Sequence, residues 1–396
     1  DMMKMNGDLD DMGMNMSLNQ MDMNVVMYPE ITGDSKPKQS DNDPNRYNAN
    51  ALADIVTLNY AMLKSPNNTS LPKNAPVKEL KFTLTGNMNR YVWSIDNKVV
   101  SETDKILIKK GENVRITIYN NSMMRHPMHL HGHDFRLLNG QGDNAPLKNI
   151  VDIMPMETDT LEFNANAEGD WFFHCHILYH MMSGMGRVLS YENQVPNPLI
   201  PNPKLAKRKL FADDRKFHFM AENDFATNGN DGMAMLQGTR WSIGTEWRLG
   251  YNDHHGYENE THIGRYIGKM QWLMPFVGFD WRYRKLETDS MGNVAGEKNL
   301  FGQTNTKDNR RQFSLGVAYT LPMMVVLQTE IYHDGNLRIQ LMREDISITK
   351  RVRASFMLNT DKEYMAGFRY IVNKNLGLTT HYDSDMGLGF GLFLNY

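Results

Sequence analysis

The 396 residues include one cysteine, Cys175, so no disulfide can form within the chain and that thiol needs its own explanation. No run of about 18 apolar residues occurs, which excludes an ordinary membrane-spanning helix and leaves a membrane β-barrel open. Lysine and arginine are scattered and the formal net charge is −3, so the basic stripe that a nucleic-acid partner demands is missing. No nucleic-acid binding is expected. Nothing near Asp1 resembles a charged segment followed by an apolar one, and a mature or truncated chain is expected.

Methionine, by contrast, is plentiful at 31 residues and crowds the opening DMMKMNGDLDDMGMNMSLNQMDMNVVM. Its thioether is a soft ligand that suits Cu(I), although the composition also fits a plain low-complexity tract. The polar stretch 35–50 continues it, and ALADIVTLNYAML (51–63) reads as a short amphipathic helix. From residue 80 the pattern changes to short alternating runs (LKFTLTG, RYVWSID, KILIKKG, NVRITIYN, DTLEF, DWFFHCH) separated by Gly and Asn turns, as in a β-sandwich. Pro196, Pro198, Pro201 and Pro203 then mark a semi-extended linker. The expected organisation is a Met-rich segment and linker at 1–79, a sandwich domain at 80–195, a Pro-rich linker at 196–208 and a second β domain at 209–396.

The chemistry sits in two blocks, HPMHLHGH (126–133) and HCHILYHMMSGM (174–185). Neighbouring side chains of a strand point to opposite faces, so His174 and His176 face one way and Cys175 the other. In the same way His129 and His131 share a face while His126 points to the opposite one, where it can meet Cys175. The steps from Cys175 to His180 and on to Met185 match neither strand nor helix, which predicts a loop that folds its ligands back over a metal, with Gly184 easing the turn. Two imidazoles, a thiolate and a distant thioether make the trigonal site of blue copper, here His126, His180, Cys175 and Met185. The opposite face offers His129, His131, His174 and His176 to further copper ions, and the cysteine strand links the two centres covalently. Gly132 breaks the alternation before His133, which is left to a structural or supporting role. Zinc also takes Cys and His, but its structural sites favour four compact ligands without methionine.

At these residues the sequence resembles the multicopper oxidases, whose last cupredoxin domain carries HPxHLHGH and HCHxxxHxxxxM blocks. LTGNMNRYVWSID (84–96), the Met-rich tract and Tyr179 resemble the periplasmic copper-resistance branch of that family. The resemblance covers 80–192 specifically. It implies copper cofactors: type 1 at His126, Cys175, His180 and Met185, a type 2 ligand at His129, and type 3 ligands at His131, His174 and His176. Cys175, His174 and His176 would carry electrons to dioxygen, with Cu(I), or alternatively phenolics, as the reductant. Two departures follow. The family completes its trinuclear cluster with two further His-x-His pairs from an N-terminal cupredoxin domain, and His218, His254, His255, His262, His333 and His381 offer none. Half of a cluster is therefore expected: the rest comes from a missing domain or a partner subunit, or the domain works as a one-copper protein. Tyr179 also stands where some cuprous-oxidising members carry a proton-relaying glutamate. The alternative is a non-enzymatic copper-binding or electron-transfer module tethered to the outer membrane.

Residues 209–396 alternate repeatedly, as in RWSIGTEWRLG, where Trp241, Ile243, Thr245, Trp247 and Leu249 share one face. About ten such runs, with Arg248, Arg282, Arg338, Arg353 and Arg369 on the polar face, predict an antiparallel barrel of eight to ten strands with a polar lumen. A soluble barrel with one solvated face gives the same alternation. The terminal aromatic Tyr396 is similar to the assembly signal of bacterial outer-membrane proteins. The expected fold is all-β, a cupredoxin-like Greek-key sandwich followed by an antiparallel β-barrel of outer-membrane type, with the copper domain on the periplasmic side of the bacterial outer membrane.

Overall fold

The computed structural model describes residues 59–87, 90, 92–193, 202–285 and 298–396. The Met-rich tract, the expected helix as far as residue 58 and the prolines at 196, 198 and 201 lie outside the described residues. Strand dominates, in two compact units that divide between Arg215 and Lys216.

The first unit contains β1 (Val77–Asn87), β2 (Val92–Ile95), β3 (Ile106–Ile108), β4 (Asn113–Asn120), β5 (His126–Leu130), β6 (Phe135–Leu137), β7 (Leu147–Lys148), β8 (Ile150–Ile153), β9 (Thr158–Asn164), β10 (Asp170–Cys175) and β11 (Gly186–Tyr191). One sheet runs β2-β1-β4-β9-β6-β7 and the other β3-β11-β10-β5-β8. Parallel pairs β1/β4 and β3/β11 among antiparallel neighbours give a cupredoxin-like sandwich. Strict alternation in β4 sends Val114, Ile116 and Ile118 inward, where with Phe82, Leu84, Leu161 and Phe163 they pack in one core with Met128, Leu130, Phe173 and Leu189. Each such side chain contributes roughly 1.5–3 kcal/mol by leaving water. A one-turn helix, α1 (Leu178–Met182), connects β10 to β11. A second helix, α2 (Pro203–Leu210), follows; the Asn202 side chain caps it by accepting the Leu205 N–H at 3.0 Å, with Pro203 in its first turn. The end of the expected linker is thus helical.

The second unit is a closed barrel of twelve antiparallel strands: β12 (His218–Ala226), β13 (Gly229–Gln237), β14 (Trp241–Gly250), β15 (Tyr257–Arg265), β16 (Leu273–Tyr283), β17 (Asn309–Thr320), β18 (Val326–Tyr332), β19 (Leu337–Ser347), β20 (Val352–Asn359), β21 (Tyr364–Ile371), β22 (Leu376–Asp383) and β23 (Gly387–Asn395). Pairing of β12 with β23 closes it. Eight to ten strands were expected. The reason for the difference is chemical: β12 (HFMAENDFA), β13 (GNDGMAMLQ) and β15 (YENETHIGR) carry too few apolar residues at period two to register as strands.

The barrel reverses the sandwich's rule of apolar inside and polar outside. On β17, Phe313, Leu315, Val317 and Tyr319 point outward, Phe313 with 69% and Leu315 with 63% of its surface exposed, while Arg310 and Ser314 are buried inside. Arg282 and Arg338 are buried, and Arg248, Arg353 and Arg369 line an interior cavity of about 180 Å³. Most of these interior arginines are paired with carboxylates, while Arg353 donates to the Thr349 carbonyl at 2.8 Å. Arg282 reaches Asp280 at 2.8 Å, Glu363 at 2.9 Å and Glu258 at 3.0 Å; Arg310 reaches Asp361 at 2.9 Å; Arg338 reaches Glu260 and Glu330, each at 2.6 Å. Buried charges are tolerated only when paired in this way.

Candidate metal centre

The register of β5 against β10 sets Phe173 opposite Leu130, His174 opposite His129 and Cys175 opposite Met128. Cys175 therefore points into the core and His174 away from it. His126, four residues before Leu130 on β5, shares the inward face. In α1 the His180 ring is buried and turned back toward Cys175. Cys175 Sγ lies 3.7 Å from His126 Nδ1 and 3.6 Å from His180 Nδ1, and the two nitrogens are 3.1 Å apart. A point about 2 Å from all three atoms is a metal–imidazole bond length from each nitrogen.

Met185 is wholly buried in the same core. Its N–H donates to His180 O at 3.0 Å and its carbonyl accepts the Cys175 N–H at 3.1 Å, so the chain returns onto the cysteine strand. Gly184 makes that return possible at a φ of 110°, and a Cβ there would stand 2.5 Å from Val99 Cβ. The expected loop thus contains one helical turn, too short to imprint a period on the sequence.

Other residues hold the ligands in place. His126 Nε2 is 2.7 Å from Ser122 Oγ, and Ser122 donates to Asn120 Oδ1 at 2.8 Å. For Nδ1 to bind a metal, Nε2 must carry the ring proton, and Ser122 accepts it. Trp93 stacks on His180 with ring centres 4.3 Å apart. Neither Trp93 nor Ser122 is marked by the motif spacing, although Trp93 lies within LTGNMNRYVWSID.

Burial governs titration here. It lowers His126 to about 2, with His180 adding to the effect, lowers His180 to about 3 and raises the Cys175 thiol to about 12. At neutral pH both imidazoles offer lone pairs, and the thiol keeps its proton until a cation displaces it. A thiolate, two imidazoles and a thioether fit copper better than zinc.

The outer face gathers His129, His131, His174 and His176. His131 Nε2 and His174 Nε2 are 2.9 Å apart, and the His129 ring centre lies 4.7 Å from that of His131 and 5.6 Å from that of His176. His129 Nδ1 meets Asn149 O at 2.6 Å and His174 Nδ1 meets Cys175 O at 2.8 Å, so each ring donates there and keeps Nε2 as the ligand atom. Burial, opposed by the bond to Cys175, brings His174 down to about 4, and burial followed by the charges of His129 and His176 also lowers His131. His133 is not in this group: it bonds His131 O at 2.9 Å and the Tyr191 hydroxyl at 2.7 Å, bracing the backbone of His131. Tyr179 is exposed.

In the barrel, Glu260, His262 and Glu330 also come within metal-binding reach of one another, but Arg338 already pairs with both carboxylates. Methionines gather there too. Met342 is in register with Met357, and Met357 with Met365, and all three line the interior cavity with Met233.

Residues 73–195 match the multicopper oxidase family. The chain is 38% identical over 117 residues to "Copper resistance protein A" of Escherichia coli, covering 30% of this chain and 19% of that protein. It is 32% identical over 130 residues to "Multicopper oxidase MmcO" of Mycobacterium tuberculosis, covering 33% and 26%. The solved McoA multicopper oxidase of Aquifex aeolicus aligns at 25% identity over 32% of this chain and 31% of that one, with a TM-score of 0.28. The chain spans about a fifth of the length of the copper resistance relatives it matches. The multicopper oxidase match thus includes every predicted ligand in both histidine blocks.

Proposed function

We propose that the segment 80–195 is the type 1 copper domain of a periplasmic copper-resistance oxidase, joined to an outer-membrane barrel at 216–396. The convergence of Cys175, His126 and His180 on one buried point carries this reading. Type 1 copper would be held by these residues and Met185, the type 2 ion by His129, and the type 3 pair by His131, His174 and His176. Copper in these places supplies one-electron transfer from the reductant to dioxygen.

The chain's own residues prepare that transfer. Cys175 is bonded through the backbone to both His174 and His176, and the His174 Nδ1–H bond to Cys175 O shortens the route from the sulfur side to the imidazole ring. Burial of His126, His180 and Cys175 excludes water from the inner centre, while the exposed His131 and His176 leave the outer set open for completion. Cu(I) is the favoured reductant, supported by the Met-rich opening and by the soft thioethers of Met342, Met357 and Met365. Four Cu(I) ions and four protons then convert one dioxygen to two waters. The outward apolar band of the barrel suits lipid, and pairing of β12 with β23 closes the ladder, as a lipid-spanning sheet requires. The full chain should require detergent, and a chain soluble and monodisperse without it would remove the membrane assignment.

Oxygen uptake tests the oxidase reading: with Cu(I) and a partner domain bearing two His-x-His pairs, the copper-loaded chain should consume oxygen, and His174→Ala should stop it. A second reading, a copper-holding or electron-transfer module without turnover, is favoured by the outer set's having four imidazoles where a trinuclear cluster needs eight. One bound copper per chain and no oxygen uptake with the partner present would decide for it.

A further inference from the structure

We propose that Asp214 is a positioning residue for the axial-ligand loop of the copper centre, acting from outside the stretch that matches the oxidase family. The inference rests on the reading of Met185 as axial ligand. The family match ends at residue 195, yet the chain after α2 packs back onto the first unit: Phe211 and Asp214 are both buried there. Asp214 Oδ2 accepts the Ser101 N–H at 2.8 Å. The adjoining Val100 N–H donates to Gly184 O at 2.9 Å, and Val99 and Val100 are themselves buried. A Cβ on Gly184 would meet Val99 Cβ at 2.5 Å and Asp214 Cβ at 3.1 Å, so three segments close on this one glycine.

The next residue is Met185. Its backbone is fixed by bonds to His180 and Cys175, and the Gly184 N–H donates to Met181 O at 3.0 Å; what holds this turn against the rest of the unit is the wall that Val99, Val100 and Asp214 build against Gly184. With copper bound, an axial thioether would be a weak ligand that tunes the redox potential, so the potential would respond to displacements of this loop. Asp214 thus acts through Ser101 and Val100 on Gly184 without touching the metal. The first strand of the barrel begins four residues later, at His218, so the chain leaves the copper unit directly from this anchor.

The test uses the full chain with two readouts: the reduction potential of the blue centre, and amide hydrogen exchange of residues 183–186 in the copper-free protein. Asp214→Ala should speed that exchange by about tenfold and change the reduction equilibrium by a similar factor, about 59 mV for one electron. Asp214→Asn keeps an acceptor for the Ser101 N–H and should restore both to the wild-type values. Asp214→Glu keeps the charge but moves the acceptor by one methylene; it should shift both readouts in the direction of the alanine variant by less, and it serves if that variant does not fold. A blue wild type with an unchanged potential and unchanged exchange in both Asp214→Ala and Asp214→Glu would overturn the proposal. A wild type that takes up copper without turning blue would remove the type 1 reading instead, while the exchange rates still decide whether Asp214 holds the loop.

Discussion

The inner and outer faces of β5 and β10 carry the same kind of ligand and reach different ends. Inward, His126 and Cys175 meet His180 in a dry pocket where all the donor atoms come from this chain. Outward, His129, His131, His174 and His176 cluster at a surface with His131 and His176 exposed. One strand register thus gathers a thiol and two imidazoles on one side and four imidazoles on the other. Burial closes the inner group off from solvent, and exposure leaves the outer one open, which is what the proposed sharing of a cluster with further histidines requires.

The most severe way to break this comparison is Cys175→Ser. It should eliminate the blue thiolate-to-copper absorption entirely and with it all oxygen uptake, while strand content by circular dichroism stays at wild-type level because the change is nearly isosteric. His174→Ala separates the faces: oxygen uptake should vanish while most of the blue absorption survives. Loss of the blue band in that variant would mean the two centres are one.

Acid sharpens the same contrast in the copper-free chain. His126, His174 and His180 have folded-state values of about 2, 4 and 3, all depressed by burial, against about 6.5 unfolded. The unfolded chain therefore binds protons that the folded chain refuses. Their stabilisation is complete above pH 6.5 and is lost as the pH falls below it, by about 2 kcal/mol per histidine at pH 5. Hydrogen exchange across β5 and β10 at pH 7 and pH 5 reads this directly. The smallest effect is expected of Met185→Leu: a weak axial ligand tunes rather than holds, so copper should be retained with an altered potential and rate. Equal loss of copper in Met185→Leu and Cys175→Ser would show that Met185 is not an axial ligand.

Much of the centre was legible because strand alternation is a local rule. The parity of residues 126, 129 and 131, and of 174, 175 and 176, is enough to assign each side chain to a face. What was not legible depends on distant chain. Trp93 stacks on His180 from a strand far away in sequence, and Asp214 reaches the Gly184 loop from beyond α2. No spacing rule relates such positions. The helical turn around His180 escaped because five residues hold little more than one period. In the barrel, β14 and β17 announce themselves by alternating aromatics, but the polar residues of β12, β13 and β15 point into a charged lumen and blur the pattern that a solvent-facing or core-facing strand would keep.

The central claim is that this chain holds one complete copper centre and half of a second. Titrating the full chain with copper, while following the blue absorption and the copper bound per chain, tests it most directly. The account predicts that the blue band saturates at one copper per chain, disappears in Cys175→Ser, and that further tightly held copper appears only when a partner with two His-x-His pairs is added. No blue band at saturating copper, or a blue band that persists in Cys175→Ser, would contradict it.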